Sequence, residues 1–129
     1  MAKKKVLRNR NAGTKTEAEY WGMIRSGLRK ATRWWKPAQI AKVAARRHYK
    51  GKNKRQKWEF KCAACGEWFM SKDVQIDHIV GAGSLKCGND LKGFVERLTP
   101  ESPKAFQILC KPCHKIKTKI EKDELRANL

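Results

Sequence analysis

Cys62-Ala63-Ala64-Cys65 and Cys110-Lys111-Pro112-Cys113 decide how this 129-residue chain is read. Each Cys-x-x-Cys pair can put two thiolates on one ion, and two pairs complete a tetrahedral four-sulfur shell. Such an ion is coordinatively closed, so it braces the chain and does no chemistry itself. The expectation is a structural zinc on Cys62, Cys65, Cys110 and Cys113, tying a hairpin after Phe60 to the start of the last helix. Sites of this kind bind with ~10–16 kcal/mol in small peptides, which matters to a domain with a thin core. The 44 residues between the pairs exceed the spacers of simple zinc fingers. The rival reading, a redox dithiol, wants a thioredoxin-like βαβ context that is missing. Cys87 is left over as a loop thiol.

Outward from the cysteines, the chain is strongly basic. It carries 31 Lys/Arg against 12 Asp/Glu, a formal net charge of +19. The excess is uneven: residues 1–61 hold 20 of the Lys/Arg and 3 of the acids. That balance points to a polyanionic partner, with nucleic acid the better match. No apolar run is long enough to cross a membrane, so no membrane partner is expected. The basic start, Met1 to Arg10, has no apolar stretch behind it and does not read as a secretory signal. The expected location is cytoplasmic, a reducing compartment where paired cysteines bind metal more often than they form disulfides.

Residues 1–15, rich in Lys, Arg, Asn and Gly, read as a disordered basic arm. Residues 16–57 read as a basic helical extension. Thr16 and Glu19 make a capping box, and Trp21, Ile24 and Leu28 recur at helical spacing. Pro37 ends this segment and suits the first turn of a second helix carrying Ile40, Val43 and Ala44. Trp58, Phe60 and Cys62 alternate as in a half-buried strand. A turn at Gly66 and a short strand at Trp68-Phe69 complete a hairpin. Residues 74–79 are the next strand, Leu91 to Leu98 a short helix, and a last helix starts near Pro112. Ile116 and Ile120 are expected on its buried side, with Lys115, Lys119 and Lys122 on the exposed side. The core would span residues 58–123, with a tail at 124–129.

The spacer between the cysteine pairs contains Ile76-Asp77-His78-Ile79, and the second pair runs straight into His114. A carboxylate and two histidines therefore belong to one stapled framework. Asp77 and His78 are neighbours on a strand and point to opposite faces. That suits a division of labour, in which one residue binds a catalytic metal and the other reaches a water.

Three stretches together resemble the HNH endonuclease family: Cys62 to Cys65, Val74-Gln75-Ile76-Asp77-His78-Ile79-Val80, and Phe106-Gln107-Ile108-Leu109-Cys110-Lys111-Pro112-Cys113-His114-Lys115-Ile116-Lys117-Thr118. Their order and spacing cover residues 58–119, and the insertion at 85–98 is similar to that of small bacteriophage HNH proteins. The resemblance implies an α+β fold with a ββα-metal, treble-clef-like core. It also implies DNA hydrolysis at a catalytic divalent ion (magnesium, manganese, nickel or zinc), with Asp77 and His114 as its ligands and His78 as general base. One position departs from the pattern. The family's middle Asn falls here at Ala105, which has no amide to hold the catalytic loop and orient the base. Asn89, Ser102 and Lys104 are the nearby polar residues that could substitute. A rearranged loop, a slower nuclease and a degenerate site kept for binding all remain open.

Arg25, Arg29, Lys30, Arg33, Arg46, Arg47, Lys50, Lys52, Lys54, Arg55 and Lys115 are the expected phosphate contacts on double-stranded DNA. Trp34 and Trp35 lie among them and read as core or interface residues before base-stacking ones. His48, with no carboxylate or cysteine near it in sequence, reads as a surface or DNA-contact residue. The rival from another class is a non-catalytic zinc-ribbon nucleic-acid protein; it explains the charge and the cysteines but not Asp77, His78 and His114. A bacteriophage packaging role beside a terminase is compatible with either reading.

Overall fold

The computed structural model describes residues 5–127, a mixed helix and sheet (α+β) arrangement. Along the chain run α1 (Glu17–Ala31), α2 (Lys36–Ala44), β1 (Arg46–His48), β2 (Trp58–Lys61), β3 (Trp68–Phe69), β4 (Val74–His78), α3 (Leu91–Leu98), β5 (Phe106–Cys110) and α4 (Lys111–Ala127). They fall into two units: the described residues of Met1–Trp35 with Val80–Pro100, and of Lys36–Ile79 with Glu101–Leu129. This differs from a boundary at 57/58. The strand β1, not foreseen in the sequence, draws residues 46–48 into a sheet with β2. The 85–98 insertion leaves the unit of the strands that flank it.

The first unit is organised by α1. Its capping box forms as the sequence predicts, with the Glu19 amide donating to Thr16 Oγ1 at 3.1 Å and the Thr16 amide donating to Glu19 Oε1 at 3.2 Å. Trp21, Ile24 and Leu28 pack on Ala82, Leu85, Phe94 and Leu98, so the loop and α3 form the other half of this core. Arg97 Nε donates to the Ala82 carbonyl at 2.8 Å and closes the loop over it. Residues 10–15 are not the featureless arm expected. They form a turn bridged between Arg10 and Lys15, with ion pairs Arg10–Glu17 and Arg8–Glu19 at 2.7 Å each. The arm's residues 1–4 lie outside the described residues.

The second unit holds two antiparallel sheets, β1-β2-β3 and β4-β5. Pro37 sits in the first turn of α2, where its missing amide leaves no helical bond unmade. Phe60, Val74 and Ile108 are buried together with Ala45, Trp58, Phe69 and Ile76 around them. In β4-β5 the register runs from Val74 opposite Cys110 to His78 opposite Phe106. Strand pleating puts Val74, Ile76 and His78 on one face and Gln75 and Asp77 on the other. α4 follows β5 directly and packs on both β4 and β5.

In α4 the buried and exposed sides differ from those expected of its sequence. Ile116 and Ile120 are exposed, at 61% and 51%. The half-buried side carries Cys113, His114, Lys117 and Thr118 instead. The helix spends its inward face on polar and thiol groups. It also continues through Ala127, so a tail starting at 124 begins as helix.

Candidate metal centre

The first knuckle is shaped by backbone hydrogen bonds. The Cys62 amide donates to the Glu67 carbonyl at 2.9 Å and the Gly66 amide to the Cys62 carbonyl at 3.0 Å. Gly66 has φ +75, a left-handed conformation that glycine adopts without strain, and this turns the chain back after Cys65. The Ala63 amide donates to the Ile108 carbonyl at 2.8 Å, which fastens the knuckle to β5. Cys110 ends β5 and Cys113 lies in the first turn of α4. All four sulfurs lie within 4.8 Å of one another, and Cys62 and Cys110 are buried. Sulfurs ~2.3 Å from one tetrahedral zinc sit ~3.8 Å apart, so the cluster fits a metal ion such as zinc after a small contraction. Cys87 is exposed and belongs to the other unit.

The thiols show why the cluster suits a cation. Burial pushes the Cys62 thiol up, but amides of Cys65, Cys110 and Ala64 pointing at its sulfur outweigh this and bring it down to about 6. Cys113 goes the other way, to about 12, mainly through the neighbouring Cys110 thiol and then through burial. One thiolate forms readily while its neighbour keeps its proton in hydrogen bonds within the cluster. A divalent ion would replace that proton.

On the other side of α4's first turn, Asp77 and His114 converge. Asp77 is the buried charged residue of the described core, at 7% exposure. Its Oδ1 lies 3.6 Å from His114 Nε2. Its Oδ2 accepts from Gln107 Nε2 at 2.9 Å and from Lys117 Nζ at 2.8 Å. Gln107 stands directly opposite Asp77 in the β4-β5 register. The pleat carries His78 to the opposite face, where its ring lies 4.8 Å from that of Phe106. Thr118 Oγ1 donates to the His114 carbonyl at 2.9 Å.

Lys117, Gln107 and Glu121 were missed as site residues. Lys117 Nζ also contacts Glu121 Oε1 at 2.9 Å and donates to the His78 carbonyl at 2.8 Å. Burial alone would lower its pKa, but the hydrogen bonds to Asp77 and Glu121 outweigh it and hold the ammonium charged. The available signal was the helical spacing of Cys113, His114, Lys117 and Thr118, one face of one helix.

The basic residues distribute over both units. Arg25, Arg29, Lys30 and Arg33 belong to the first, with Arg29 5.7 Å from the Phe94 ring centroid. Arg46, Arg47, Lys50, Lys52, Lys54 and Arg55 belong to the second. Arg47 is engaged by Glu59 and lies over the Trp68 ring, and Arg46 lies over Trp58. Trp34 is 72% exposed with Arg33 over its ring, which corrects its reading as a core residue. Trp35 is tied by Nε1 to the Pro100 carbonyl at 2.7 Å. His48 lies against Trp58 on β1. Lys115 stands in a row with Lys111, Lys119 and Lys122 along α4. The row lines an open cleft of ≈ 750 Å³ that also takes in His114, Thr118 and Gln75.

Comparison with protein-family models, curated proteins and solved structures finds no match. Among the described residues, no helix is long and apolar enough to cross a membrane.

Proposed function

We propose that this protein is an HNH-type, metal-dependent endonuclease that hydrolyses DNA phosphodiester bonds, with a structural zinc on Cys62, Cys65, Cys110 and Cys113. The observation that carries this reading is the 3.6 Å approach of Asp77 Oδ1 to His114 Nε2 on an antiparallel strand pair followed directly by a helix. Two donors each ~2.1 Å from one ion stand ~3.0–3.4 Å apart, so the pair fits a divalent ion with little adjustment. Two protein ligands leave positions open for phosphate and water.

In this reading the His78 imidazole takes the proton of an attacking water. The water oxygen forms the new bond to phosphorus in line as the bond to the 3′ oxygen breaks. The departing oxygen takes its proton from solvent, giving 5′-phosphate and 3′-hydroxyl ends. A divalent ion on Asp77 and His114 would supply the positive charge that stabilises the phosphate and the leaving oxygen. The lysine row of α4 holds the phosphate backbone beside His114.

The test is supercoiled plasmid with the zinc-loaded protein in magnesium, manganese, nickel and zinc. Nicked or linear product that disappears with His78→Ala, at retained fold and zinc content, is the expected result. Intact plasmid in every metal, with DNA still bound, would instead establish a zinc-ribbon binding protein with a degenerate site, as the Ala105 departure allows.

A further inference from the structure

We propose that Lys117 is a positioning residue that fixes Asp77 as a one-oxygen ligand and pins the backbone of His78, the anchoring task for which Ala105 has no side chain. The inference rests on the nuclease reading for its effect on rate, and on geometry alone for its effect on metal binding.

An ammonium has three N–H groups. Lys117 uses them on Asp77 Oδ2 at 2.8 Å, Glu121 Oε1 at 2.9 Å and the His78 carbonyl at 2.8 Å. Those acceptors sit on the end of β4 and one turn further along α4, so a single side chain joins strand to helix where Asp77 and His78 meet. Gln107 adds a second donor to the same Oδ2 at 2.9 Å. The doubly engaged oxygen leaves Oδ1, the one facing His114, as the atom offered to an ion. The His78 backbone is held on both sides of its carbonyl: Lys117 takes the oxygen, and the next amide, Ile79, donates to the Ala105 carbonyl at 3.0 Å. Ala105 thus contributes only backbone, and Lys117 supplies the side-chain anchor. With its N–H groups committed, Lys117 is not a phosphate contact, unlike its neighbours on the exposed row.

Removing Lys117 then has opposite effects on two observables. A cation beside Asp77 repels a divalent ion, so its loss strengthens ion binding, while the freed carboxylate and His78 lose their alignment. The experiment uses the full zinc-loaded chain with Lys117→Met and Lys117→Arg. Free Mn²⁺ is followed by electron paramagnetic resonance, plasmid nicking gives kcat and KM, and DNA affinity is measured against salt. For Lys117→Met the expected outcome is several-fold tighter Mn²⁺ binding and a kcat lower by about tenfold or more, as for other groups that orient metal ligands. KM, zinc content and the salt slope stay as in the wild type. Lys117→Arg keeps the charge but not the tetrahedral reach; wild-type Mn²⁺ affinity with an intermediate kcat is expected.

A kcat within twofold of wild type in Lys117→Met overturns the proposal. So does Mn²⁺ affinity falling in step with kcat, which marks general loosening. A salt slope shallower by about 0.9 overturns it too, by making Lys117 a phosphate contact. If Lys117→Met does not fold, Lys117→Arg decides: reduced kcat at wild-type Mn²⁺ affinity supports the clamp, and unaltered kcat overturns it. A wild-type protein that binds Mn²⁺ without cutting DNA removes the nuclease reading, and the clamp is then judged on Mn²⁺ affinity, tighter for and weaker or unchanged against. A wild-type protein that binds no second ion overturns both.

Discussion

At the scale of single residues, the cysteines make the sharpest demand. With Cys62 brought down to about 6 and Cys113 held up to about 12, the metal-free cluster at neutral pH carries one thiolate and at least one tightly held proton. Zinc must displace that proton, so affinity rises with pH. It falls faster once pH drops below about 6, where Cys62 itself takes up a proton. Calorimetric zinc titrations in two buffers of different ionisation enthalpy should register net proton release at pH 7.5 and weaker binding at pH 5.5. Cys110→Ala removes a buried ligand between strand and helix. Elemental analysis is expected to give no retained zinc, against about one ion per wild-type chain for a closed four-sulfur site. The clustering of these cysteines was readable because Cys-x-x-Cys spacing suits two thiolates on one ion. Lys117 was not, because a lysine in a lysine-rich helix reads as solvated until its acceptors are known, and Asp77 comes from a strand 40 positions earlier.

At the scale of elements, α4 carries two different sets of side chains on two faces. Its inner face carries Cys113, His114 and Lys117, and its outer row carries Lys111, Lys115, Lys119 and Lys122. If the outer row tracks phosphate, each Lys→Ala change there should reduce the salt dependence of DNA binding by ~0.9 on the log–log slope without changing zinc content. An unchanged slope in the quadruple variant would move the grip to the arginines of α1. The sequence showed where α4 begins and that it is amphipathic, but pointed to the wrong side. Ile116 and Ile120 have the hydropathy of core residues, yet Cys113, His114, Lys117 and Thr118 take the inward direction and the isoleucines are left outside. β5 escaped notice for a related reason. Ile108, Leu109 and Cys110 are all buried, so the strand shows no alternation to read. β1 escaped because Arg46-Arg47-His48 has no apolar pattern; pairing with β2 alone makes it a strand. The helix α1, by contrast, was legible from its cap. Thr16→Ala should cost about 1 kcal/mol, read as a lower midpoint of thermal unfolding.

Across the whole molecule, each unit has a core of its own. Phe94 and Leu85 are fully buried among α1, α3 and the intervening loop, with no cysteine of the cluster among them. In the other unit the four thiols of the cluster gather where β2, β5 and α4 meet, and a zinc held there would brace it. Stripping the ion with a strong chelator is expected to accelerate amide exchange across β2, β4, β5 and the start of α4, while Phe94 and Leu98 stay protected. Loss of protection at both sets together would contradict separate cores. Milder EDTA should stop plasmid cleavage before it removes the cysteine-bound ion, since two protein ligands hold an ion less firmly than four. The charge asymmetry of the sequence points to a polyanionic partner and gives no sign of this division. The helical insertion lies between the two cysteine pairs in sequence, and only its burial against α1 assigns it to the other unit.

The adjacency of Cys113 and His114 sets how this chain can change. The two side chains leave α4 on successive residues, one toward the cysteine cluster and the other toward Asp77. An α-helix turns about 100° per residue, so their bearings are fixed by counting rather than by packing. Point substitutions at Lys115 or Lys119 leave that count intact. A single residue inserted between Cys113 and His114 would swing His114 about 100° away from Asp77 while every functional side chain was still present. For this segment, length carries structural information that composition does not.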